Sequence, residues 1–180
     1  MDIINILGAL TGNDAVDAIA KNLKIDSKQV SSVITSALPS LLGAMQKNAS
    51  TQGGAEALTK ALGDHAGNAG NILSNLSGAD LTDGNKILSH IFGGNLSSVI
   101  SGISKKSGVA NNSVSSILAA IAPSLLALLG KGQQNSGTNA AGLAGMLGTI
   151  LSATGGNSSN QGMGGLGSIL GGLGKLFGKK

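Results

Sequence analysis

The chain contains no cysteine, arginine, tryptophan or tyrosine, only two phenylalanines (Phe92 and Phe177) and only two prolines (Pro39 and Pro123). Without cysteine there is no disulfide and no thiolate metal site, and the redox compartment stays open. Without arginine, all twelve basic residues are lysine, so the bidentate fork that reads guanine, phosphate and carboxylate is missing. An aromatic share of 1% leaves little to stack on bases, and the core has to be built from Leu, Ile, Val and Ala. Acid is missing from the second half. Every Asp and Glu lies at or before Asp83, and seven lysines but no acid follow, within a formal net charge of +4. That basic half is too dilute to mark a nucleic-acid surface by itself.

Long apolar runs are missing too. No run reaches the ~18–20 residues of a spanning helix; the nearest, Ile117 to Gly130, is shorter and holds Pro123 and Ser124. The start, Met1-Asp2-Ile3-Ile4-Asn5, lacks the basic region and apolar stretch of a secretory signal. A cytoplasmic protein is the expectation.

What is present is a duplication. Sliding the chain by 84 places lays Pro39-Ser40-Leu41-Leu42 on Pro123-Ser124-Leu125-Leu126 and Val30-Ser31-Ser32 on Val114-Ser115-Ser116. Lys47 falls on Lys131, Ile19 and Lys21 on Ile103 and Lys105, and Val16, Ile25 and Val33 on Ile100, Val109 and Ile117. A repeat that keeps apolar positions and a helix-disturbing proline keeps a packing geometry.

Each copy reads as a short helix followed by a long one. In the first, Asn13 or Asp14 caps a stripe of Val16, Ile19, Ala20 and Leu23. Asp26 or Ser27 then caps a stripe running from Val30 to Met45, with Pro39 expected to kink it. In the second, Leu96, Val99, Ile100 and Ile103 form the short stripe, and Ser107-Gly108 stops it. Asn111 or Asn112 opens the long helix of Val114, Ile117, Leu118, Ile121, Leu125 and Leu128. Alanines cover its far side, so it belongs in a bundle centre or an oligomer interface. Between the copies, Ala55–Leu62 reads as a helix closed by Gly63, Asn71–Leu76 as a short turn, and Ile87–Ile91 as a helix capped by Asp83 and ended by Gly93-Gly94.

From Gly132 the texture changes. Half of the thirty glycines lie there, and no charge falls between Lys131 and Lys175. This reads as flexible tail with two apolar islands. The first is Leu143, Met146, Leu147, Ile150 and Leu151. In the second, Gly164, Gly167, Gly171, Gly174 and Gly178 share one helical face, while Leu166, Ile169, Leu170, Leu173, Leu176 and Phe177 lie largely away from it.

The run Asp83-Gly84-Asn85-Lys86-Ile87-Leu88-Ser89-His90-Ile91-Phe92-Gly93-Gly94, the preceding Ala61-Leu62-Gly63-Asp64-His65 and the Val114–Lys131 helix resemble the YidB-like bacterial proteins of unknown function. The resemblance implies a multihelical protein and brings no activity, cofactor or catalytic residue with it.

Few residues suit chemistry. Asp64-His65 and Asp83 with His90 are the sole acid–imidazole combinations, and zinc needs three or four protein ligands. The plain reading is a cap-type contact for Asp64, a helix cap for Asp83 and a core-edge backbone-bonded His90. Gly162-Met163-Gly164-Gly165-Leu166-Gly167 spells a dinucleotide fingerprint, but no strand precedes it. No nucleophile–base–orienter set is visible. The helix pairs could be taken for a helix-turn-helix, but their second helices turn polar only at Lys28, Gln29, Ser31 and at Asn111–Ser116.

The prediction is an all-α multihelical bundle with pseudo-duplicated helix pairs over about residues 1–131 (copies about 13–47 and 97–131, connecting helices 55–92). A Gly/Ser/Asn-rich tail, 132–180, follows. The expected function is non-enzymatic self-association or partner binding, through Ile117, Ile121, Leu125 and Leu128. Leu166, Leu170, Leu173 and Phe177, with Lys175 and Lys179, form a secondary contact. The alternatives are a membrane-active tail on anionic lipid and DNA binding through the helix pairs. No cofactor, metal or small-molecule substrate is expected.

Overall fold

Two left-handed backbone turns, 84 residues apart, organise the molecule. The computed structural model describes residues 8–153, and every regular element among them is helical. They are α1 (Asn13–Leu23), α2 (Ser27–Ala49), α3 (Gln52–Ala66), α4 (Ile72–Ser77), α5 (Leu81–Phe92), α6 (Leu96–Ser107), α7 (Asn111–Ser136) and α8 (Ala140–Ala153). Short 3-10 segments cover Gly67–Asn71 and Gly93–Asn95. The all-α expectation holds throughout this span.

The duplication is structural. α1 ends on Lys24 (φ 54°) and α6 on Gly108 (φ 71°), both left-handed. Their N–H groups close the helices on the carbonyls of Ala20 and Ser104, residues that are themselves 84 apart. Two residues of extended chain follow, and α2 and α7 start at Ser27 and Asn111, each 12 residues before its proline. Both long helices continue through the ring.

The repeat reaches further than its prolines. Ala55, Leu58, Leu62 and Gly63 of α3 recur as Ala140, Leu143, Leu147 and Gly148 of α8, now 85 places on. α3 lies along α7, and α8 lies along α2, so each third helix covers the other copy's long helix. α2 also packs on α6, α7 touches α1, and α5 closes the remaining side of α7. The two copies therefore share one core.

That exchange extends the body beyond the boundary expected at Lys131. α7 runs on to Ser136 and stops at Gly137 (φ 64°). Gln133 is buried and donates from Nε2 to the Thr138 carbonyl at 3.1 Å, which turns the chain into α8. Leu143, Leu147 and Ile150 are then buried. Local glycine content opposes a helix here, but burying three aliphatic side chains, each worth about 1.5–3 kcal/mol, outweighs it.

Several caps differ from expectation. Asp26 does cap α2, accepting from the Lys28 N–H at 2.8 Å. α1 instead follows Gly12, and α7 follows Ala110, neither with a side-chain cap. Gly63 does not stop α3, which Thr51 caps and which continues to Ala66. α5 is capped by Asp80, not Asp83; three residues of extra helix fit because Asp80 sits in extended backbone and reaches two free N–H groups.

α7 is long and apolar enough to cross a bilayer by length and composition, but 78% of its apolar window is buried inside the molecule. It is the central core helix.

Candidate functional site: an apolar groove between α3 and α5

The first set of expected contact residues faces inward. Ile117, Ile121 and Leu125 are 0% exposed and Leu128 3%, consumed by the chain's own core around α7. No partner reaches them without unfolding the body, which corrects the expectation that they form a contact surface. Of α7's two possible places, the bundle centre is the one realised. Leu166, Leu170, Leu173, Phe177, Lys175 and Lys179 lie outside the described residues, as does the Gly162–Gly167 fingerprint.

The histidines pair differently from the sequence expectation. His65 is in the last turn of α3, not in a loop. Its Nδ1 lies 2.9 Å from the Ala61 carbonyl and its Nε2 3.4 Å from Asp83 Oδ2 on α5. Asp83 therefore meets His65 rather than capping α5 or serving His90. Both partners of the imidazole are oxygen acceptors, one a backbone carbonyl and one a carboxylate. Asp64 makes no cap; it pairs with Lys60 at 2.9 Å on the exposed face of α3, a contact of small worth. His90 is exposed rather than at the core edge, and its Nδ1 lies 2.9 Å from the Lys86 carbonyl.

Around His65 is a notch of about 210 Å³ bordered by Asn68, Asn75, Asp80 and Pro123. Among the described residues, its lining carries no hydroxyl or thiol side chain. Asp80 accepts from the Thr82 and Asp83 N–H groups at 2.8 and 3.4 Å. Those two backbone bonds, aided by the Thr82 hydroxyl and the charge of Lys86, hold its carboxyl below the usual aspartate range. Among the described residues no group of three or more His, Asp or Glu could hold a metal.

A more apolar concave feature lies between α3 and α5. α3 and α5 both lie on α7, and two glycines draw them close. A Cβ on Gly84 of α5 would run into the Ala119 carbonyl, and one on Gly130 of α7 would run into that of Leu62 in α3. The Ala119 carbonyl is the one whose helical donor Pro123 removes, so α5 rests on backbone that the proline left free. Between the two flanking helices remains an apolar groove of about 330 Å³. Leu126 of α7 forms its floor, Ala57, Leu58 and Ala61 one wall, and Ile87 and Ile91 the other. Small residues on the α3 wall leave the gap unfilled. Asn48 closes one end by donating from Nδ2 to the Ile91 carbonyl at 3.0 Å, and Lys86 and His90 stand on the rim.

These groove residues lie within a stretch that also matches a known family: residues 5–133 match a family described as bacterial protein of unknown function (DUF937). The chain belongs to this family. The assignment agrees with the resemblance to YidB-like proteins seen in the Asp83–Gly94 run. No curated protein and no solved structure matches the chain.

In this DUF937 protein the matched stretch includes α1 to α6, nearly all of α7 and every residue lining the groove, while α8 lies beyond it. Sequence reasoning missed the groove because Ala57 and Ala61 read as helix formers and Ile87 as core. Gly84 carried the available signal. A glycine inside a helix costs about 1 kcal/mol, which is tolerated where another backbone has to come close.

Proposed function

We propose that this DUF937 chain is a non-enzymatic docking module that receives one amphipathic helix of a protein partner in the groove between α3 and α5. The observation that carries the reading is the groove itself: an open apolar trough with walls of Ala57, Leu58, Ala61, Ile87 and Ile91, floored by Leu126 and flanked by α3 and α5. Such a trough suits the helix-in-groove mode, in which side chains at three- and four-residue spacing seat as anchors. The buried state of Ile117, Ile121, Leu125 and Leu128 turns the reading away from self-association through α7. DNA docking through the helix pairs draws less support from residue type, since the exposed starts of α2 and α7 offer one lysine, Lys28, among amides and hydroxyls, and no arginine.

The test is a titration of the isotope-labelled full chain with a leucine-rich amphipathic peptide. Methyl signals of Leu58, Ile87 and Ile91 should move, and Ala57→Arg, which puts a charged side chain into the mouth, should weaken binding about tenfold or more. Shifts confined to other surfaces, or none at saturating peptide, would refute the docking reading.

A further inference from the structure

We infer that the groove is occupied, in the resting protein, by the chain's own C-terminal segment, with the ridge Leu166, Leu170, Leu173 and Phe177 laid between α3 and α5. This rests on the docking reading above and names the resident ligand.

Four observations converge on it. The chain continues for 27 residues beyond Ala153, and within them these four side chains recur at spacings of four, three and four. That is the anchor pattern a helix-binding groove selects. The reach suffices. The first turn of α8, at Ala140 and Ala141, borders Ala55 and Glu56 at the head of α3. Ala153 therefore lies about one α8 length, about 21 Å, from the head of α3, whose next turn supplies the groove wall. Residues 154–165 can span up to about 40 Å when extended.

The fold also sets a precedent for this kind of segment. α8 comes from the same glycine-rich stretch, in its uncharged part before Lys175, with Gly142, Gly145 and Gly148 at every third residue. It nonetheless packs as a helix on the body through Leu143, Leu147 and Ile150. Glycine-mediated helix contact is already used at Gly84 and Gly130. The strip of Gly164, Gly167, Gly171, Gly174 and Gly178 beside the apolar ridge offers the same close approach to the groove walls.

The glycines also keep the seat weak. Each costs about 1 kcal/mol of helix stability, so folding on docking consumes much of the contact energy. A partner helix with fewer glycines displaces the segment, and the tail acts as a built-in competitor.

The absence of cysteine makes the experiment clean. A spin label on Ser168→Cys in the full chain should broaden the methyl signals of Leu58, Ile87 and Ile91, and Ala57→Arg or the pair Leu170→Asp with Leu173→Asp should abolish that broadening. The same tail pair should tighten binding of the added amphipathic peptide by about tenfold, because the groove is then open in every molecule. No broadening at the groove, with peptide binding unchanged by the tail pair, would overturn the inference while leaving the docking reading standing. No broadening and no peptide binding would overturn both. Mixing spin-labelled, isotope-free chain with unlabelled isotopic chain separates the sources: broadening in the mixture means a second copy supplies the segment and overturns seating within one chain. Broadening that appears only when anionic vesicles are absent supports the groove as the resting site of a segment that lipid can extract.

Discussion

Lys24 and Gly108 occupy the same left-handed turn, at φ 54°, ψ 43° and φ 71°, ψ 17°, at equivalent ends of the two short helices. Lys24 is the one non-glycine residue at positive φ among the described residues. An L-residue pays about 1–2 kcal/mol there, and a lysine recovers a little from the helix C-terminus. Lys24→Gly should therefore stabilise the protein by about 0.5–1 kcal/mol, while Gly108→Ala should cost about 1–2 kcal/mol. Urea midpoints should move in opposite directions with unchanged slope.

Glycines in helix interiors divide into two kinds. Gly84 faces the Ala119 carbonyl, and Gly63 faces open space. Gly84→Ala should destabilise by about 1–3 kcal/mol or more, since backbone has to shift. Gly63→Ala should stabilise by about 1 kcal/mol through helix propensity alone. Thermal melts of the two variants decide the matter; equal effects would contradict the close approach of α5 to α7.

Burial along α7 and α8 makes a third prediction. Leu125→Asp puts a charge at a 0% exposed position and should unfold the chain rather than dissociate an oligomer. Leu147→Ala should cost about 2–5 kcal/mol, as for any core leucine, because α8 belongs to the body. A far-UV signal that persists in Leu125→Asp with a reduced particle size would speak for an interface instead.

Acid sensitivity should trace in part to Asp80. Its carboxyl is held below the ordinary value of 3.8 by the Thr82 and Asp83 N–H groups. The sign follows from linkage: the stabilisation is complete above the ordinary value and is lost as pH falls through the lowered folded one. Asp80→Asn keeps a capping acceptor and has no proton to take up, so its stability should fall less steeply on acidification below about pH 4. Parallel acid legs for both proteins would show that the cap carries no linkage.

Much of the fold is legible in the sequence because burial has to repeat at 3.6 residues to build a helix. The stripes of α1, α2, α6 and α7 are continuous, and the two prolines mark their register. The third repeated helix escaped because its echo is offset by one residue and diluted by glycine: only Ala, Leu, Leu and Gly coincide between α3 and α8. The Asp83 assignment failed because Asp80 and Asp83 are equally good caps locally, and the choice depends on which N–H groups the preceding turn leaves free. The groove was invisible because an alanine lining a gap and an alanine filling a core have the same sequence signature.

The helical class, the duplication and the aliphatic nature of the core follow from the order of residues alone, because periodicity and proline placement act within single helices. Tertiary structure decided that α7 is spent inside the molecule, that each third helix crosses to the opposite copy, and that Asp83 meets His65 while His90 is left on a groove rim. Those outcomes depend on which helix faces meet across space, and sums of distant contacts, not local preferences, set that choice.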